Sequence, residues 1–316
     1  MLRALGTVLV IAGIGCGSTD MSGETGSTSG TGSTGSTTGT AGTASTTSTG
    51  EVPTSSSSTT GEPVGNLLLS DKFLNIAHRG GASLRPEETL LAFEHALAVG
   101  ADVLEFDVHA SSDGVIVAMH DGTVDRTTDG TGPIKAQTLA QLRALDAGYR
   151  FTTDGGQTFP YRGAGIVIPT LEEILEKFPE SYCLIEIKQN DPPIVEGLLS
   201  ALAEHGALER VVIAATELET IQAVRAAAPM VFTSLSTPEM LDLHLNVGSP
   251  DYVAPAQFVH APWDLASAEL VTFAHGLGMK VHPWTVNQES RMVELVARGV
   301  DGIMTDDPAL LATVAP

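Results

Sequence analysis

Short apolar runs alternate with amphipathic stretches along residues 67–316, and that alternation limits the fold more than any other feature. The runs fall at residues 73–77, 103–108, 115–119, 182–187, 211–215, 230–235, 252–254, 280–286 and 302–305. Between most of them lie segments of helical period, such as residues 89–99, 139–145, 170–177, 193–204, 217–227 and 289–297. Strands that alternate with helices make a parallel sheet. About 250 residues is the ordinary size of a closed (β/α)8 barrel. An open doubly wound sheet would alternate in the same way, but no Gly-rich phosphate loop of the Rossmann or P-loop kind follows the first run. The reading is therefore α/β, a (β/α)8 TIM barrel. One link breaks the pattern. Only residues 110–114 separate the second and third runs, too few for a parallel crossover, and Ser112-Asp113-Gly114 reads as a hairpin turn. Nine runs are also one more than a barrel needs. Either one of them is an extra strand or the barrel is irregular there.

Polar residues sit where these strands should be apolar. The first run ends in His78-Arg79, the second holds Glu105 and Asp107, the third ends in His120-Asp121, and the fourth holds Glu186 and leads to Lys188. Period two puts Glu105 and Asp107 on one face, and likewise Glu186 and Lys188. In a parallel barrel every strand delivers its C-terminal end to one rim, where active sites are built. Alone, Glu105, Asp107 or Lys188 would read as half of a structural ion pair, and His78 as a core histidine. Together at successive strand ends they are much harder to explain structurally, because buried charges are costly unless paired or metal-bound. Three carboxylates form a hard oxygen cage for one divalent cation, Ca2+ or Mg2+. Arg79 and Lys188 suit a phosphate, and two histidines can exchange protons near neutral pH. That set fits phosphodiester cleavage.

Charge and cysteine count exclude other classes. Lys and Arg number 16 against 38 Asp and Glu, for a net charge of −22. A nucleic-acid partner or a polybasic grip on anionic lipid needs the opposite sign. An anionic substrate is repelled by such a chain, so a local cation must help to bind it. Two cysteines, Cys16 and Cys183, allow neither a disulfide framework nor a cysteine-built zinc site. Cys183 reads as a buried, inert thiol. The spacing of Asp121, Asp125 and Asp129 lacks the alternation of an EF-hand loop. His244, His260, His275 and His282 share no metal spacing.

The motifs resemble those of bacterial glycerophosphodiester phosphodiesterases. Asn75-Ile76-Ala77-His78-Arg79-Gly80-Gly81-Ala82 is followed by Pro86-Glu87-Glu88-Thr89, Leu104-Glu105-Phe106-Asp107-Val108, Met119-His120-Asp121 and the loop Asp125–Gly132. Glu186-Ile187-Lys188, Trp284-Thr285-Val286-Asn287 and residues 299–306 match the later blocks. The resemblance implies a barrel hydrolase that releases glycerol 3-phosphate and an alcohol from deacylated phospholipids such as glycerophosphocholine. It implies His78 and His120 as acid–base pair, Glu105, Asp107 and Glu186 as ligands of the divalent metal, Arg79 and Lys188 as phosphate contacts, and Trp284 in the substrate pocket. It implies no protein partner. The attacking oxygen is water or the glycerol's own neighbouring hydroxyl. The second passes through a cyclic phosphate, as in the related phosphatidylinositol-specific phospholipase C barrels. Glu88 departs from the family, which carries Asn there. As the residue opening a helix, it reads as a negative charge that suits the helix dipole. The long stretch 146–169 reads as a loop near the mouth, and its Asp154-Gly155-Gly156 as weak evidence for a phosphate loop. Two alternatives stand beside the hydrolase: a phospholipase C- or D-like barrel acting on intact lipid, and an inactive surface-tethered binding protein.

The first 66 residues read as something other than fold. Arg3 and an apolar run of about twelve residues, too short to span a bilayer, precede Cys16, as in a secretory signal. Gly13-Ile14-Gly15-Cys16 resembles a lipobox, with Gly13 where Leu is usual, so residues 1–16 are expected to export the chain and leave Cys16 lipidated on the periplasmic or cell-surface side of a membrane, the alternative being plain secretion. This anchor is the one membrane contact expected. Residues 17–66 are expected to be a flexible tether. Of residues 22–61, 34 of 40 are Ser, Thr or Gly, too polar to offset ordering entropy, and about 50 such residues reach roughly 40 Å.

Overall fold

Side chains that cap helices mark out most of the crossovers. Thr89 Oγ1 accepts from the Ala92 N–H and opens α1 (Leu90–Ala98). Thr170 and Glu173 form a reciprocal box at α3 (Leu171–Lys177), as Thr138 and Gln141 do at α2 (Leu139–Leu142). Ser236 and Glu239 do the same at α6 (Thr237–Leu245), and Asp307 caps α9 (Pro308–Val314). The remaining helices are α4 (Val195–Glu204), α5 (Leu218–Ala227), α7 (Ala268–Gly276) and α8 (Glu289–Ala297). These come from a computed structural model whose described residues are 66–316. The expected signal segment, Cys16 and the tether up to residue 65 lie outside the described residues.

The strands are β1 (Leu74–Ala77), β2 (Val103–Ala110), β3 (Ile116–Ala118), β4 (Tyr182–Ile187), β5 (Val211–Ala215), β6 (Phe232–Thr233), β7 (Phe258–Val259), β8 (Lys280–Val281) and β9 (Gly302–Thr305). All but β3 run parallel, in the order β6-β5-β4-β2-β1-β9, with β7 paired to β8. The Leu235 N–H donates to the Phe258 carbonyl at 3.0 Å and joins β6 to β7. The Asp301 and Met304 N–H groups donate to Val281 and Pro283 at 3.0 Å and join β8 to β9. Eight parallel strands thus close on themselves as a (β/α)8 barrel.

The extra ninth strand accounts for the short second link. β2 overshoots the rim, turns through residues 111–115, and returns as antiparallel β3, pairing Ala110 with Ile116 and Val108 with Ala118. The chain then stays on the rim side until Thr170 starts α3, the helix that leads down to β4. This excursion has its own core of Val117, Met119, Val124, Ile134, Leu142, Ala147 and Ile168. One expected run is corrected. Residues 252–254 are not a strand; β7 comes four residues later. Val253 is 82% exposed and Pro255 follows closely, so the segment offers neither a buried face nor a full set of donors.

Alternate residues of the ring point inward. Leu74, Ile76, Val103, Leu184, Val212, Ala214, Phe258 and Met304 fill the barrel, and Leu68 plugs its lower end. Continuing that parity upward places His78, Glu105, Asp107 and Glu186 above this apolar plug. The outward residues pack under the helices in two further cores.

Candidate active site

Register assembles the acidic group. Asp107 of β2 pairs with Glu186 of β4, and Glu105 lies two residues earlier on the same face. One carboxylate oxygen from each of the three lies within 4.8 Å of the others. Glu105 is 3% exposed and Asp107 1%. Burial, and then Asp107 beside it, push the Glu105 carboxyl up to about 7. Asp107 goes the other way: burial would raise it, but Lys188, His120 and Arg79 together hold it below the usual range.

Two cations brace the cage. Lys188 Nζ lies 2.9 Å from Glu186 Oε1 and 3.1 Å from Asp107 Oδ1. Arg79 takes left-handed backbone, φ 52°, which turns its N–H onto Glu105 Oε2 at 2.7 Å. Its guanidinium approaches Asp107 at 3.6 Å and Glu87 at 3.2 Å. Neither oxygen of Asp107 accepts a well-formed hydrogen bond, nor does the buried Nε of Arg79 find an acceptor. Three converging hard oxygens, mutual repulsion and an under-satisfied central carboxylate are what a divalent cation would relieve, so these residues fit one. The donor set does not separate Ca2+ from Mg2+.

Each histidine at the rim is held by its own aspartate. His78 Nδ1 lies 2.6 Å from Asp306 Oδ1, and Asn287 Nδ2 donates to the other Asp306 oxygen at 2.6 Å. His120 Nδ1 lies 2.8 Å from Asp121 Oδ1, while Arg126 Nε donates to Asp121 Oδ2 at 2.6 Å. Arg126 also forks onto both oxygens of Glu87 at 2.7 Å. Glu87 in turn holds Arg79, so a single chain of ion pairs links His120 to the cage. Burial would lower the His78 imidazole, but Glu105 and Asp306 outweigh it and raise it. Burial lowers His120, against the pull of Asp107. In both rings Nε2 remains the nitrogen open to a substrate.

The structure thus brings His78, Arg79, Glu105, Asp107, His120, Glu186 and Lys188 to one rim. Trp284 follows the C-terminal end of β8, 43% exposed, with its indole N–H donated to the His260 carbonyl at 3.1 Å. Cys183 is a buried thiol whose pKa burial pushes up to about 12. Asp306, Asp121, Arg126 and Glu87 all fall within the motifs of the sequence, but nothing there assigns them their bracing roles. Asp121 and Asp306 each stand beside or just beyond a strand-end motif, but which polar neighbour turns inward depends on turn geometry.

Glu88 requires correction. It does not face the helix dipole from outside; Thr89 is the cap, and Glu88 is 2% exposed with φ 58°. That left-handed turn throws its side chain inward, where Oε1 accepts from the Asp107 N–H at 3.2 Å. Burial, then Asp107 and Glu105, raise its carboxyl well above the usual range. It is a buried acceptor behind the cage, not a surface charge.

Comparison with known proteins agrees with this arrangement. A profile of the glycerophosphoryl diester phosphodiesterase family matches residues 78–310. A glycerophosphodiester phosphodiesterase of Caldanaerobacter subterraneus is 36% identical over 256 residues, covering 76% of this chain and 96% of the relative. One from Bacillus subtilis is 33% identical over 264 residues, covering 79% and 89%. The crystal structure of a glycerophosphoryl diester phosphodiesterase domain from Mycobacterium tuberculosis superposes with a TM-score of 0.69 at 25% identity, over 77% of this chain and 98% of that one. A phosphodiesterase of Oleispira antarctica, solved with the product sn-glycerol-3-phosphate, gives 0.64 at 26% identity, over 76% and 95%. The profile opens at His78 and closes four residues beyond Asp306, so it spans the whole rim just described, and the chain belongs to the glycerophosphoryl diester phosphodiesterase family.

Proposed function

We propose that this chain hydrolyses glycerophosphodiesters, releasing glycerol 3-phosphate and a free alcohol, with one Ca2+ or Mg2+ held by Glu105, Asp107 and Glu186. The observation that carries the reading is the pairing of one three-carboxylate cage with two histidines, each braced at Nδ1 by an aspartate. When bound, the cation would polarise the phosphoryl oxygen and take up charge that develops there. Arg79 and Lys188 supply cationic donors to the same anion. One histidine accepts the proton of the attacking hydroxyl through Nε2 as the new P–O bond forms. The other gives its proton to the departing alkoxide as the old P–O bond breaks. Asp306 and Asp121 hold the two Nδ1 atoms, which leaves Nε2 of each ring for these proton transfers. The Oleispira product complex supports the choice of glycerol 3-phosphate as the product.

Release of glycerol 3-phosphate from glycerophosphocholine, with and without EDTA, tests the reading. Metal-dependent release is expected, restored by Ca2+ or Mg2+, and phosphatidylcholine vesicles should be turned over far more slowly. No release from any glycerophosphodiester, or full activity in EDTA, would overturn it.

We also infer that the chain is exported and anchored by a lipid on Cys16. Arg3, the short apolar run and Gly13-Ile14-Gly15-Cys16 support this. Radiolabelled palmitate should enter the wild-type chain in a bacterial host and be lost in Cys16→Ser; equal labelling of both would overturn it.

A further inference from the structure

The described residues of this strongly acidic chain contain few cations without a carboxylate partner. Among them, only Arg85, Arg150, Arg162 and Arg210 form no ion pair. Three of the four gather on the catalytic side. Arg85 lies in the β1–α1 loop, two residues before Glu87. Arg150 and Arg162 lie in the rim excursion that carries His120. Aromatic rings hold all three. The Arg162 guanidinium lies 4.1 Å from the Tyr149 ring centre and 3.9 Å from that of Phe159, and Arg150 lies 5.4 Å from the Tyr149 ring. Arg85 lies 6.0 Å from the Tyr161 ring, so the excursion meets the catalytic loop at this cluster.

Stacking uses the faces of a guanidinium and leaves its N–H edge free, while it fixes a side chain that would otherwise lose entropy on binding. Arg150 and Arg162 each spend only Nε, on the Thr128 and Tyr149 carbonyls at 3.2 and 3.1 Å. Arg85 donates one terminal nitrogen to Leu84. The acids within residues 146–169 are already engaged: Asp146 accepts from the Gly148 and Gly163 N–H groups, and Asp154 from Gln157, Thr158 and Thr152. Arg150 and Arg162 are exposed and Arg85 is half-buried, so all three keep guanidinium N–H groups without a carboxylate, on the loops that also carry His120 and Glu87, in a molecule whose overall field repels anions.

We propose that Arg85, Arg150 and Arg162 form a subsite for a second oxyanion, phosphate or carboxylate, on the leaving alcohol of the diester. This rests on the hydrolase reading and names the headgroup class it favours. The cluster then selects substrates carrying an extra negative charge over those with a cationic headgroup.

The test compares kcat/KM for three diesters of glycerol 3-phosphate, with choline, with glycerol phosphate and with 3-hydroxypropionate. At least one anionic diester should exceed the choline diester by about tenfold, the effect of one charge-assisted hydrogen bond. The better of the two identifies phosphate or carboxylate as the preferred anion. In Arg150→Gln/Arg162→Gln that ratio should collapse toward one, and in Arg162→Lys it should persist in part. Because each ratio is taken within one preparation, loss of folded protein does not affect it. Hydrolysis of the choline diester without an anionic preference, or a preference intact in the double variant, overturns this inference and leaves the hydrolase reading standing. No turnover of any of the three overturns both.

Discussion

Asp306, at the far end of the chain, holds His78 from across the junction of β1 and β9, at 2.6 Å. Asp121 holds His120 from the adjacent position at 2.8 Å. Two unrelated stretches have thus built the same brace. His78→Ala and His120→Ala should each lower kcat by roughly 10²–10⁴-fold with the fold retained. Asp306→Asn should lower it by at least about tenfold, since the amide no longer fixes the tautomer. Wild-type turnover in His120→Ala would refute the acid–base pair.

Metal binding should weaken in mild acid. The Glu105 carboxyl, at about 7, must give up its proton before it can ligate. Affinity for Ca2+ or Mg2+ should therefore fall as pH drops through 7, and binding there should release protons. Calorimetry at pH 6 in two buffers of different ionisation enthalpy measures that release. Identical heats in both buffers would contradict the raised carboxyl.

Glu88 is a buried acceptor for the Asp107 N–H, and its raised carboxyl favours the uncharged form. Glu88→Gln keeps the shape and the acceptor, so its Tm at pH 7 should stay near that of the wild type. Glu88→Ala leaves a buried N–H unbonded and should cost about 1–3 kcal/mol. Thermal melting of the pair decides; equal losses in both would show that the carboxyl's charge matters after all.

His282 should make the fold acid-sensitive. It is 2% exposed, stacks with His260, and finds no hydrogen-bond partner for either ring nitrogen among the described residues. Burial pushes its pKa down to about 4 from 6.5, and His260 moves in the same direction. Between pH 4 and 6.5 the unfolded chain binds the extra proton and the folded chain does not. This contribution to stability is thus complete above about 6.5 and is lost as pH falls, by on the order of 3 kcal/mol at pH 4. His282→Gln should flatten the decline in Tm relative to wild type, and parallel curves would rule this out.

Much of the barrel was legible because its signals are local. Period-two parity put Glu105 and Asp107 on one face, and the five-residue link after β2 already spoke against a parallel crossover. The misses arise where tertiary contacts decide. Residues 252–254 look as apolar as β7, but only the neighbouring β6 and β8 select Phe258–Val259 for the wall. Glu88 looks like a helix-opening acid until a left-handed turn sends it inward. The hold of Asp306 on His78 spans 228 positions, and no spacing rule reaches that far.

The wall of the barrel is uneven. β2 runs for eight residues and β4 for six, whereas β6, β7 and β8 have two each. Every carboxylate of the cage stands on the long side, and of the expected site residues Trp284 is the one that follows a two-residue strand. The dimensions of the ion cradle are therefore set by long, continuously paired backbone, whereas Trp284 is placed independently of it, by its own N–H on the Ala261 carbonyl beyond β7.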